Sequence, residues 1–217
     1  MRAGMALDTY TRWCERSSTE IEYILSLDTS DRTDYSFPEY HGIELKIIRN
    51  DNQNAVQAIN NGADKATGDI LIVVSDDFDC PTNWDEKILA ETENVEDFVL
   101  RVKDGLQKYI ITMPIMDRKY YQRFGYIYHP GFEHMFCDTY LTCVADKLKK
   151  IYDSGLLFPH NHYSRTGKKD KVSAKADATW KQGEELFIKL AKEGFGVEGE
   201  ISDKKMIAWL RIHEVDA

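Results

Sequence analysis

The chain has 217 residues, 42% of them hydrophobic and 30% charged, which suits one globular domain with a full core and excludes a disordered chain as the default. Its formal net charge of -9 argues against a nucleic-acid partner, because affinity for a phosphate backbone needs a basic footprint. The four cysteines (Cys14, Cys80, Cys137, Cys143) form no CxxC pair and no zinc spacing, no apolar run approaches the roughly 18 residues needed to span a bilayer, and no signal-peptide core opens the sequence, so a soluble, cytoplasmic, thiol-reduced protein is expected.

Ala6, Tyr10, Trp13 and Cys14 recur at helical spacing and predict an amphipathic helix over 5–16. Ile21 to Asp28 reads as a strand ending in an acid, Thr29 to Asp34 as a polar loop, and Ile43 to Ile48 as another extended segment. Asn50 to Asn54 is turn material, with Asn54 placed to cap the following helix. The stripe of that helix (Ala55, Ala58, Ile59, Gly62, Ala63, Ala66) is mostly small, so it can lie close against a sheet. Thr67-Gly68 then turns the chain into Ile70-Leu71-Ile72-Val73-Val74, which runs directly into Ser75-Asp76-Asp77-Phe78-Asp79-Cys80-Pro81.

That continuous aliphatic run predicts a strand buried on both faces, as in an α/β sheet. Open α/β sheets bind ligands outside the carboxyl ends of their strands, where Asp76, Asp77 and Asp79 fall. Clustered carboxylates repel one another unless a positive group lies between them, so a divalent cation, Mn2+ or Mg2+, is the expected cofactor.

Further along, Trp84 to Thr92 predicts a short helix, Asp97 to Val102 and Tyr109 to Met113 predict strands, and Asp117 to Phe124 a helix. Residues 125–137 crowd aromatic groups between Gly125, Pro130 and Gly131; Tyr126, Tyr128, Phe132 and Phe136 are candidates to stack on a sugar. A helix is expected from Asp138 to Lys149. Leu157 to Tyr163 reads as extended, with His160 and His162 on one face. Ser164 to Lys175 reads as a mobile loop whose Lys168, Lys169 and Lys171 could close over an anion. Ala176 to Ala191 forms a long amphipathic helix, Gly194, Gly196 and Gly199 break it, and Asp203 to His213 is a last short helix. The alternation predicts an α/β fold with a mostly parallel sheet flanked by helices.

With these residues assembled, the sequence resembles the family 2 glycosyltransferases of the GT-A fold, a Rossmann-related architecture. The resemblance lies in Asn52 to Gly62, in Ala66-Thr67-Gly68-Asp69-Ile70, and in Ser75-Asp76-Asp77 followed by Pro81 and Trp84-Asp85. It covers residues 5 to about 163 and is specific between 50 and 85, which implies a GT-A-like catalytic domain over 1–163 with residues 164–217 packed on it or trailing it. It implies transfer of a sugar from a nucleotide diphosphate donor to an acceptor hydroxyl, dependent on a divalent metal and inverting. Asp28, Asn54 and Asp76 are then donor-binding candidates; Asp77, Asp79, His160 and His162 are metal-ligand candidates; Asp138 is the candidate catalytic base. A nucleotidyltransferase, or a noncatalytic nucleotide or sugar binder, is the alternative.

The sequence departs from the family pattern at two places. Many relatives carry an acid two positions before the Asp-Asp pair, where this chain has Val74. The family also begins with a central strand, and here the helix that should follow it comes first. A start site placed late is expected, with Met1-Arg2 as the remnant of the turn and an aliphatic strand encoded upstream.

Overall fold

A computed structural model describes residues 3–33, 35–167 and 169–215. The turn remnant expected at Met1-Arg2, the end of the polar loop at Asp34, and Lys168 lie outside the described residues. Helix α1 (Ala3–Glu15) leads to strand β1 (Ile21–Asp28), which pairs in parallel with β2 (Ile43–Asn50). Helix α2 (Ala55–Lys65) begins at Asn54, whose side chain accepts from the Gln57 amide, and its Gly62 passes close to Ile24 and Ser26 of β1. Small residues on this helix allow that approach, as the stripe predicts.

Strand β3 (Ile70–Ile72) belongs to a second sheet with β4 (Val99–Lys103), β5 (Ile115–Asp117) and β6 (Ile151–Leu157), in the order β3-β5-β4-β6. β5 runs antiparallel to both β3 and β4, while β4 and β6 are parallel. The α/β architecture with helices flanking the sheets is as expected, and the four-stranded sheet is mixed rather than strictly parallel. The reason is the link from β4 to β5: Asp104 to Pro114 contains no helix, and a parallel crossover normally needs one. The strand expected at Tyr109 to Met113 is part of this link, and Asp117 ends β5 and caps helix α4 (Arg118–Phe124) by accepting from the Tyr120 amide.

Strand alternation sorts the core onto the two faces of this sheet. Leu71, Val99 and Met116 join the cluster beneath α4 and α5 (Cys137–Lys147), whereas Leu100 and Ile115 join Trp13 of α1 and Trp84 and Ile88 of α3 (Trp84–Thr92). Residues 164–175 are not a single loop: α6 (Tyr163–Thr166) and α7 (Lys171–Ala178) occupy most of them. Helix α8 (Trp180–Lys192) and helix α9 (Lys204–Ile212) place Phe187 and Leu210, both fully buried, in the first cluster with Tyr140 and Val144.

β1 pairs only with β2 and β3 only with β5, so the two sheets do not join among the described residues. Between them lies a cavity of about 610 Å³, lined by Ile21 to Ser26, by Gly68 to Val74, and by α2, α3 and Trp13. The missing ladder partner on that side explains why β3 stops at Ile72, although the aliphatic run extends to Val74.

Candidate active site

The segment after β6 organises the site. Phe158 N–H and His160 N–H donate to the carbonyls of Lys103 and Asp104 at the end of β4, 2.8 and 2.9 Å away. On its other side the segment meets the acidic loop: Asp79 N–H donates to Pro159 O and Asn161 N–H to Asp77 O, at 2.9 and 2.8 Å. His160 is thus held between two chain ends that each carry an acid. Its Nε2 is 3.2 Å from Asp77 Oδ2, its Nδ1 is 3.8 Å from Asp104 Oδ2, and the Phe78 ring stacks on it at 4.1 Å between centroids.

Electrostatics follow from that placement. Burial works against a charged imidazole at His160, but Asp104 and Asp77 outweigh it and raise its pKa to about 9. Burial likewise works to raise the Asp104 carboxyl, yet the neighbouring His160 imidazole and bonds from the Leu106 and Gln107 amides and the Thr112 hydroxyl hold it down at about 2. Asp77 is also kept below the usual carboxylate range, because His160 and the Ser75 hydroxyl overcome its desolvation. Its Oδ1 is buried and makes no hydrogen bond.

The other residues singled out from the sequence are engaged differently. Asp79 accepts from Arg16 at 2.8 Å and from its neighbour's amide at 2.9 Å, with Arg12 Nε at 3.3 Å, so its carboxylate braces the acidic loop against α1. His162 lies beside His160, ring centroids 5.2 Å apart, and caps α6 by accepting from the Ser164 amide. Asp28 ends β1 and accepts from the Ser30 amide at 2.7 Å; bonds from Ser30 keep its carboxyl low. The Asp76 carbonyl accepts from Thr9 of α1 at 3.0 Å. Asn54 is the cap of α2.

Asp138 is the second residue of α5, while Phe136, in the left-handed region at φ 69°, occupies the cap. Burial raises the Asp138 carboxyl pKa against opposing bonds from Thr139. Its carbonyl accepts from Thr142, whose oxygen accepts from the Ile111 amide, so the start of α5 is tied to the same link that carries Asp104. Of the aromatic candidates, Tyr128 and Phe132 are core residues, Phe136 packs against Trp180, Phe187 and Trp209, and Tyr126 is half-buried. Lys169 pairs with Asp177 at 2.5 Å and lies over Tyr163.

Asp104 was missed in the sequence although a signal was present: an acid directly after a predicted strand and before a glycine. No three carboxylate, imidazole or thiol groups form a ready-made cation cage among the described residues. A hard cation at a diphosphate needs only one or two protein ligands, the rest coming from phosphate oxygens and water. Asp77, with its unengaged Oδ1, and the adjacent His160 Nε2 fit that requirement.

Comparison with known proteins bears on what such a site serves. None of the curated proteins matches the sequence. No helix among the described residues is long and apolar enough to cross a membrane. The family model for glycosyl transferase family 2 matches residues 2–142, a span that holds β1 to β5, the acidic strand end and Asp138. The chain therefore belongs to glycosyl transferase family 2, whose enzymes use nucleotide-sugar donors and generally divalent cations.

Proposed function

We propose that the chain moves a sugar from a nucleotide diphosphate donor to an acceptor hydroxyl in a cation-dependent, inverting displacement. The observation that supports this best is the pair formed by Asp77 and His160 at the carboxyl end of β3, with one buried carboxylate oxygen still unengaged. Asp77 and His160 would hold Mn2+ or Mg2+, and the bound ion would stabilise negative charge on the departing diphosphate. Asp28, at the end of β1, is assigned to the nucleotide, as are Asp76 and Asn54. Asp79 and His162 already serve Arg16 and α6, so they support the ligands rather than join them.

Asp138 takes the acceptor proton. A new bond forms between the acceptor oxygen and the anomeric carbon as the bond from that carbon to the diphosphate breaks, so attack opposite the leaving group inverts the centre. The raised pKa of Asp138 brings it nearer the operating pH, as a general base requires.

The test is donor hydrolysis and transfer with Mn2+ across a panel of nucleotide diphosphate sugars. Wild type should turn over at least one donor. Asp77→Ala should lose both turnover and Mn2+-dependent binding, and Asp138→Asn should lose roughly 10²–10⁴-fold in kcat while still binding the nucleoside diphosphate. No wild-type turnover on any donor, together with an unchanged nucleotide isotherm in Asp77→Ala, would leave a noncatalytic binder instead.

A further inference from the structure

Trp180 opens α8 and is 52% exposed, whereas Trp13 and Trp84 are buried and Trp209 is half-buried. Its neighbours on the helix surface are polar: Lys181, Gln182 and Glu185 are exposed, while Gly183, Phe187 and Ala191 turn into the core. The indole is nevertheless held in place. Its ring meets Phe136 at 5.1 Å between centroids and 72° between planes, an edge contact that can occupy at most one face of the indole. The Met135 amide donates to Thr179 Oγ1 at 3.1 Å, and Gly183 brings α8 so close to the Met135 carbonyl that a Cβ has no room there.

The turn that receives Trp180 is the one that leads into Asp138. Phe136 adopts φ 69°, a left-handed conformation uncommon for an aromatic residue. It stands two residues before Asp138, a distance of two Cα steps of about 3.8 Å each. In the same turn the Glu133 carbonyl accepts from the Val56 amide at 3.4 Å, at the start of α2 beside its Asn54 cap. A single exposed tryptophan on a polar surface is unremarkable by itself. This one is fastened by three contacts to the turn that carries the residue assigned to the acceptor proton, where a second substrate must rest.

The surroundings state the chemistry of that substrate. An indole face with charged and amide side chains around it suits a ligand that is apolar on its faces and hydroxylated around its rim. A pyranose ring has both properties: its C–H groups pack on the aromatic face while its hydroxyls reach polar neighbours. A protein or membrane partner would need a wider apolar patch than one indole. We propose that Trp180, supported by Phe136, is the platform on which the acceptor rests, and that the acceptor is a saccharide. That the bound saccharide is the acceptor rests on the glycosyl-transfer reading above; the binding of a sugar ring at Trp180 does not.

The first arm of the test follows the tryptophan indole N–H signals in ¹H–¹⁵N spectra of the full chain, with Mg2+ and a mixture of nucleoside diphosphates present. Glucose, galactose, N-acetylglucosamine, maltose and cellobiose are added in turn to tens of millimolar, and Trp180 is assigned by its loss in Trp180→Phe. At least one saccharide should shift the Trp180 signal saturably and leave those of Trp13 and Trp84 in place. Absence of a shift from every saccharide overturns the proposal. The second arm measures transfer to the saccharide that binds. Trp180→Ala should raise the KM for that acceptor at least about tenfold and keep the KM for the donor within about threefold, and Trp180→Phe, which retains a ring face, should recover most of the loss. Trp180→Leu, apolar but without a ring face, is the second variant and should behave as Trp180→Ala. An unchanged acceptor KM, or equal rises in both KM values, overturns the acceptor role. Absence of transfer to any acceptor, with the Trp180 shift present, would defeat the proposed function and leave the sugar site standing, so the two failures are distinguishable.

Discussion

Asp77 and Asp79 stand two residues apart on one loop, yet their carboxylates meet opposite partners: a histidine for the first, two arginines for the second. Substitution should separate them. Asp79→Asn is expected to lower stability by about 1 kcal/mol, a modest figure because Arg12, Arg16 and Asp79 are each about a third exposed, and to leave Mn2+ affinity within about threefold. Asp77→Asn should cost Mn2+ affinity at least about tenfold; thermal melts and Mn2+ titrations on the two variants check both halves. The His160 cluster also gives the metal-free protein a pH signature. His160 has its pKa raised from 6.5 to about 9, so its contribution is full below about 6.5 and is lost as pH rises through 9. Asp104 has its pKa lowered to about 2, so its contribution is present above the ordinary carboxylate pKa of 3.8 and is lost as pH falls through 2. The stability gap between wild type and His160→Gln should therefore be wide at pH 5–6 and narrow at pH 9.5, in denaturant titrations at each pH. A gap that widens with pH would contradict this assignment of partners.

Among the elements, two helical glycines make opposite predictions for one substitution. At Gly62 of α2 an added Cβ would meet Ser26 and Ile24 at 3.7 and 3.9 Å, ordinary contact, so Gly62→Ala should stabilise by about 0.5–1 kcal/mol through helix propensity and a less flexible unfolded chain. At Gly183 of α8 the same atom would run into the carbonyl oxygen of Met135, so Gly183→Ala should destabilise by about 1–3 kcal/mol. Equilibrium denaturation of both variants tests the pair. How far the elements were legible follows the same physics. The helices α1, α2 and α3 appear where their patterns lie, whereas the long helix expected from Ala176 to Ala191 is broken at Thr179 into α7 and α8. β6 was missed because Asp153-Ser154-Gly155 at its centre has little β-propensity and is held by pairing with β4, a long-range contact that no local pattern reports. β5 slid to Ile115–Asp117 because β3 and β4 fix its register from both sides. The acids at the ends of β1 and β3 could be read from strand-then-acid order. The meeting of Asp77, His160 and Asp104 could not, because the segment after β6 brings them together and pairing of that segment is tertiary.

At the scale of the whole molecule, most of the buried hydrophobic residues described fall into two clusters on either face of the four-stranded sheet, and the C-terminal helices contribute Phe187, Ala191, Phe195 and Leu210 to one of them. The fold beyond residue 142 is thus continuous with the region that the family model matches. The cavity between β1 and β3 bears on dynamics as well as on shape. In a strand, successive backbone N–H groups point to alternate sides, so half of those in β1 face β2 and half face the cavity, where no ladder protects them. Ser26, whose hydroxyl is buried without a partner, stands in the same row. β4 differs, because β5 and β6 flank it. Amide hydrogen exchange should therefore be at least about 100-fold slower at Val99 and Leu100 than at the cavity-facing positions of β1; residue-resolved exchange read by NMR measures this, and equal protection along both strands would contradict it. The expected exchange map is a line of fast amides running between two protected half-sheets, a seam along which the molecule opens before it unfolds.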